Sequence, residues 1–225
     1  MTAVQHGEPA SRDEPGAIAH ALGRDRLLPV VVLDDAAAAV PLGHAIRSGG
    51  LSCIEITLRT PAALDAIAAL AREGELLVGA GTVLTRDQAE RAIAAGARFV
   101  VSPGLSASVV SHCLDVGVPV FPGVATPTEI QAALELGVQV VKFFPADILG
   151  GLAAIKALAG PFGDVRFVPT GGVSPDNVSA YLRHPSVLAV GGSWMATRAA
   201  IAAADWGAIT ALVSAAVVQV GERRG

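Results

Sequence analysis

The apolar residues of this chain fall into two alternating patterns. One is a short run of β-branched and other apolar residues. The other is a longer Ala- and Leu-rich stretch with helical spacing, set off by a turn of Gly, Ser, Thr or Pro. The short runs predict strands at LLPVVVL (27–33), CIEIT (53–57), LLVGA (76–80), FVVS (99–102), VPVF (118–121), VQVVKFF (138–144), VRFVPT (165–170) and VLAV (187–190). Strand starts recur about every 20 to 25 residues, one strand-plus-helix unit each.

Helix boundaries are signalled between the runs. TPAAL predicts Thr60 as an N-cap with Pro61 at the first helical position. TRDQ (85–88) and TPTE (126–129) read as capping boxes. SPDN (174–177) predicts Ser174 as a cap followed by Pro175. AIRSGG (45–50), AIAAGA (92–97) and ALELGV (133–138) end in glycine, as helices do when the chain turns through a left-handed residue. Residues 1–10 read as a loose tail, and Ser11 to about Gly23 predicts an extra N-terminal helix. No linker or shift in composition divides 11–225, which reads as one domain.

Strands alternating with helices imply an α/β class with parallel pairing and right-handed crossovers. Eight units predict a closed (β/α)8 TIM barrel. The competing fold, an open doubly wound sheet, would carry a glycine-rich dinucleotide turn after its first strand. That turn reads LDDAAAAV and has no such glycines. In the barrel, reactive groups belong at the carboxyl ends of the strands.

Alternation then sorts the candidate residues. In CIEITLRT, Ile54, Ile56 and Leu58 share one face, while Cys53, Glu55, Thr57 and Arg59 share the other. A carboxylate on the inner face is costly unless paired or used. A Glu55–Arg59 ion pair is the purely structural alternative. In VQVVKFF, Val138, Val140 and Lys142 point one way and Val141 and Phe143 the other. An inward Lys142 would meet Glu55 and Arg59. Burial and a neighbouring positive charge both favour the uncharged amine, a nucleophile that forms Schiff bases with ketones. The alternative is Lys142 as a simple counter-ion of Glu55.

Small residues at the ends of the third and fourth strands, GAGTV (79–83) and SPG (102–104), leave room for a ligand, with Thr82 as a hydroxyl donor. PTGGV (169–173) and GGSWM (191–195) follow the last two strands, where such barrels often bind phosphate. Their glycines allow close approach to backbone N–H groups, and Ser193 adds a hydroxyl.

Composition narrows the classes. The chain has 225 residues, 52% hydrophobic and 16% charged, with 25 glycines, which supports a sizeable core. The net charge of −4 and an aromatic content of 4% argue against a nucleic-acid or membrane-surface partner. The N-terminus lacks the order of a signal peptide and no apolar run spans a bilayer, so the expected location is cytoplasmic. Cys53 and Cys113 are expected as reduced, packed thiols. The five histidines are scattered, so no metal site is expected.

Together, EITLRT, GAGTV, SPG, KFFPA, GPFGDVRFVPTGGV and GGSW resemble the 2-keto-3-deoxy-6-phosphogluconate (KDPG) aldolase family, in its order and spacing, from about Leu27 to about Asp205. The resemblance implies a class I aldolase on a (β/α)8 barrel, a homotrimer without cofactor. It would cleave KDPG to pyruvate and glyceraldehyde 3-phosphate in the Entner–Doudoroff pathway. Many members also cleave 4-hydroxy-2-oxoglutarate to pyruvate and glyoxylate. It further implies Lys142 as the Schiff-base lysine and Glu55 as the general acid/base. Arg59 and Thr82 would hold the pyruvoyl carboxylate, with Thr170 near the keto acid. Gly171, Gly172, Gly192 and Ser193 would hold the phosphate. This chain has Val32 at the end of the first strand, where some relatives carry arginine; Arg26 lies at that strand's other end. Two other functions stay open on the residues alone: a phosphate-binding barrel isomerase or synthase, and a non-catalytic phosphosugar-binding barrel.

Overall fold

The computed structural model describes residues 15–221. The expected tail (1–10) and the first residues of the expected N-terminal helix (11–14) lie outside the described residues. The described residues form nine parallel strands: β1 (Leu27–Val31), β2 (Cys53–Thr57), β3 (Leu77–Gly81), β4 (Phe99–Val101), β5 (Val120–Phe121), β6 (Gly123–Val124), β7 (Val140–Phe143), β8 (Arg166–Pro169) and β9 (Val190–Gly192). The helices are α1 (Pro15–Asp25), α2 (Ala39–Ser48), α3 (Ala63–Glu73), α4 (Arg86–Ala94), α5 (Ala107–Asp115), α6 (Pro127–Glu135), α7 (Gly151–Ala159), α8 (Val178–Leu182), α9 (Arg198–Ala202) and α10 (Trp206–Gly221).

Six strands form one curled parallel sheet in the order β5-β4-β3-β2-β1-β9, and β6-β7-β8 form a second sheet. β5 and β6 are one stretch of chain interrupted at Pro122. Pro122 has no N–H to give, yet its carbonyl accepts from Lys142 N–H at 2.9 Å. Single parallel bridges, Phe167 to Val187 and Thr170 to Gly191, link the β8 side to the β9 side.

The apolar residues divide by face. Outward residues of the strands, such as Ile54, Ile56, Val78, Ala80, Val141 and Phe143, pack with the helices in one large cluster. Inward residues Leu28, Cys53, Phe99, Val101 and Phe121 form a second cluster. Ile18, Ala21 and Leu22 of α1 close that cluster from below, at the amino ends of the strands. One expected inward residue is a correction: Val138 belongs to the outer cluster, because it precedes β7 and strand alternation does not reach it.

Local signals held at some helix ends and failed at others. α6 carries the full Thr126–Glu129 capping box, and Thr85 caps α4 by accepting from Gln88 N–H. Gly50, Gly96 and Gly137 take positive φ just past their helices. Thr60 is not the cap of α3. That helix starts at Ala63, and the Thr60 hydroxyl instead donates to the Leu33 carbonyl. Ser174 does not cap α8 either; its N–H donates to the Asn177 side chain at 2.9 Å. The last strand lies at Val190–Gly192 rather than 187–190, because Leu27, Leu28 and Pro29 of β1 pair with Val190, Gly191 and Gly192. No helix among the described residues is long and apolar enough to cross a membrane.

Candidate active site

The two charged residues of the inner face come from strands in different sheets. β2 places Glu55 inward between outward Ile54 and Ile56; β7 places Lys142 inward between Val141 and Phe143. Lys142 Nζ lies 3.5 Å from Glu55 Oε1, and the residues are only 4% and 1% exposed. Among the described residues Glu55 Oε1 has no hydrogen-bond partner. A buried carboxylate oxygen left this way is costly unless a substrate or a moving proton uses it.

Room for the carboxylate is provided by a missing side chain. A Cβ on Gly81, at the end of β3, would sit 2.0 Å from Glu55 Oε1. One register step below, Gly79 pairs with Glu55 across the sheet, and the Phe99 ring fills the space its Cβ would take. The floor under the pair is therefore aromatic and apolar.

A cavity of about 510 Å³ lies at the carboxyl ends of the strands; Phe144 lines it next to Lys142, while Lys142, Glu55 and Thr82 are not part of its wall. Its wall includes Arg59, Thr170, Gly171, Gly172, Gly192 and Ser193, residues that the sequence singled out. Arg59 is exposed and donates from Nε to Thr82 Oγ1 at 3.1 Å. The Glu55–Arg59 ion pair that spacing allowed is not formed. The expected Glu55 carboxylate does stand beside Lys142.

Thr82 has φ of 56°, in the left-handed region. For a β-branched residue this is a true outlier, of the kind that collects at functional sites. Thr57 donates its hydroxyl to the Val31 carbonyl at 2.9 Å and so ties β2 to β1 beside Glu55. Thr170, at the end of β8, sits over Gly191, whose Cβ would be 2.4 Å from Thr170 Oγ1. Gly192 gives its side-chain space to the Trp194 ring.

Several wall residues escaped the sequence reading. The Phe144 ring lies 5.2 Å from Lys142 Nζ and lines the cavity. Alternation from Val140 and Lys142 extends to Phe144, so that signal was available. Trp194, Thr197 and Arg198 also line the cavity. Arg198 holds Asp34 in a two-pronged ion pair, with Nη2 to Oδ1 at 2.7 Å and Nε to Oδ2 at 3.1 Å. That hydrogen bond, with the Asp34 charge, pushes the Arg198 guanidinium still higher in pKa. An exposed arginine in an alanine-rich stretch carries no periodic signal. Val32 lines the wall as an apolar residue. Among the described residues no group of three His, Cys, Asp or Glu side chains is placed to hold a metal.

Fold and site together define an α/β enzyme with a buried Lys–Glu pair on the inner face of parallel strands and a cavity at their carboxyl ends. The chain belongs to the KDPG and KHG aldolase family, whose model matches residues 18–212. It is 54% identical over 205 residues to a 2-dehydro-3-deoxy-phosphogluconate aldolase of Treponema pallidum, covering 91% of this chain and 98% of the relative. It is 44% identical to the KHG/KDPG aldolase of Escherichia coli, covering 85% of this chain and 90% of that one. Its structure is similar, with a TM-score of 0.86 and 39% identity, to a KDPG aldolase from Legionella pneumophila with pyruvate captured as a covalent carbinolamine intermediate. That match covers 91% of this chain and 98% of the other.

Proposed function

We propose that this protein is a class I aldolase that cleaves KDPG to pyruvate and glyceraldehyde 3-phosphate through an imine on Lys142. The observation that carries the proposal is the buried Lys142–Glu55 pair, 3.5 Å apart, whose carboxylate Oε1 has no hydrogen-bond partner among the described residues. The captured pyruvate adduct of the Legionella relative supports the same chemistry.

In this mechanism Lys142 passes a proton to Glu55, and the free amine attacks carbon 2 of the keto acid. Glu55 returns that proton to the carbinolamine hydroxyl, which leaves as water; this restores the Glu55 carboxylate and leaves a protonated imine, which serves as an electron sink. Glu55, directly or through a water, takes the proton of the carbon-4 hydroxyl. The bond between carbons 3 and 4 breaks, its electrons enter the imine as an enamine, and glyceraldehyde 3-phosphate leaves. Glu55 returns a proton to carbon 3, and hydrolysis releases pyruvate and Lys142. A positioned acid/base of this kind contributes about 10²–10⁴-fold.

Arg59 and Thr82 bind the carboxylate end, with Thr170 beside the keto acid. A guanidinium suits a carboxylate because it can donate two parallel hydrogen bonds. Gly171, Gly172, Gly192 and Ser193 take the phosphate end. Anchoring both ends fixes the reacting bond over Lys142. The relative named KHG/KDPG aldolase supports a second substrate, 4-hydroxy-2-oxoglutarate, cleaved to pyruvate and glyoxylate.

The strand pairings and the two bridges support a closed (β/α)8 barrel in which β5 and β6 count as one strand, β9 is the eighth, and α1 is the extra helix. A single domain over 11–225, a homotrimer, a cytoplasmic location and the absence of a cofactor complete the proposal. Light scattering on the purified protein tests the trimer.

The test of the chemistry is trapping. Pyruvate with borohydride should add a stable mass to the peptide containing Lys142. Cleavage activity with no adduct on Lys142 would overturn the imine.

A further inference from the structure

The substrate proposed above has two anionic ends, and the cavity wall holds two cations, Arg59 and Arg198. They lie on opposite sides of β1: Arg59 follows β2, while Arg198 follows β9, and β1 pairs with both strands. Arg59 stands beside Thr82, at the carboxylate end. Arg198 lines the cavity together with Gly191, Gly192 and Ser193, at the phosphate end. The glycine N–H groups and the Ser193 hydroxyl are neutral donors, so without Arg198 a phosphate dianion would meet no full positive charge at that end of the wall.

The Asp34 contact does not use up this guanidinium. An arginine has five N–H donors on two usable edges. Asp34 takes Nε and Nη2. Nη1 has no partner among the described residues. Asp34 holds one edge, which fixes the rotamer of a long exposed side chain and lowers the entropic cost of using the other edge.

We propose that Arg198 is a specificity-determining residue of the phosphate end: gripped by Asp34 through Nε and Nη2, it donates from Nη1 to the phosphate of the substrate. Arg198 thereby separates phosphorylated from unphosphorylated keto acids, and Asp34 is its positioning residue. This inference rests on the aldolase activity proposed above.

The experiment compares wild type, Arg198→Ala and Arg198→Lys in two assays. One is KDPG cleavage, followed by coupled pyruvate detection. The other is the rate of borohydride trapping with pyruvate, a phosphate-free ligand of the same lysine. A charge-assisted contact to phosphate predicts that Arg198→Ala raises KM for KDPG about tenfold. Its pyruvate-trapping rate should stay within about twofold of wild type. Arg198→Lys should recover part of the loss, since a lysine keeps the charge but cannot hold Asp34 and phosphate on two edges. An unchanged KM for KDPG in Arg198→Ala overturns the inference, as does an equal loss in both assays. No adduct on Lys142 in the wild type removes the aldolase reading itself, and this inference with it.

Discussion

Gly81 lacks the one atom that would fill the place of the Glu55 carboxylate: a Cβ there would lie 2.0 Å from Oε1. The position of Glu55, the proposed proton-transfer group, therefore depends on a missing side chain on the neighbouring strand. Gly81→Ala should push Glu55 away from Lys142. Displacements of about 1 Å can cost about 10²-fold in rate. We expect kcat to fall by about that factor in steady-state assays, while circular dichroism still reports a folded α/β protein.

The Lys142–Glu55 pair makes the two residues unequal to mutate. Glu55→Gln keeps the shape and should still form the imine with pyruvate, yet turn over about 10²–10⁴-fold more slowly. Near-normal turnover would remove Glu55 from the proton-transfer role. Lys142→Met leaves a carboxylate buried without its cation. Such losses cost about 3–5 kcal/mol, so chemical denaturation should show a large drop in stability along with loss of all trapping.

Thr82 sits in the left-handed region with a β-branched side chain, a conformation that costs about 1–3 kcal/mol. Thr82→Gly relieves that strain, partly offset by about 0.5–1 kcal/mol of added chain entropy. The thermal midpoint should hold or rise. KM for the keto acid should rise several-fold, because the Arg59–Thr82 hydrogen bond is gone. A clear loss of stability would show that Thr82 is not strained.

The buried thiols predict a weakness at alkaline pH. Burial is the main cause that pushes Cys53 from the ordinary 9.0 up to about 12, with the Asp25 charge adding to it. Burial likewise pushes Cys113 to about 11. Unfolded thiols lose their protons first, so the unfolded state binds fewer protons between pH 9 and 12, and stability falls as pH rises through that window. Cys53 contributes a slope of up to about 1.4 kcal/mol per pH unit across that window, and Cys113 only up to about pH 11. Cys53→Ala should flatten the decline of stability with pH, measured by denaturant titration from pH 8 to 11. Neither native thiol should react with a thiol reagent at pH 8.

Much of this was legible in the sequence because strands and helices have fixed periods. Alternation placed Glu55, Thr57 and Lys142 on the inner face. It could have placed Phe144 there too. Capping at Thr126 was readable because both of its hydrogen bonds are local. Thr60 misled because its hydroxyl found a carbonyl of another unit, at Leu33, outside any local motif. The final strand was displaced because Gly191 and Gly192 have weak strand preference; pairing with β1 made them a strand. Arg198 was silent, since an exposed residue on a short helix obeys no burial pattern.

By itself the sequence determined the order of strand and helix units, the stops at Gly50, Gly96 and Gly137, the inner face for Glu55, Thr57 and Lys142, and the set of candidate residue types. All of these follow from local geometry and side-chain chemistry. Only the tertiary structure decided that Lys142 comes within 3.5 Å of Glu55, that Arg59 turns to Thr82, and that Arg198 joins the same cavity as Arg59. Alternation gives a side chain its direction but not its distance to another. That distance was set by the register of strands far apart in the chain and by the space left open at Gly81.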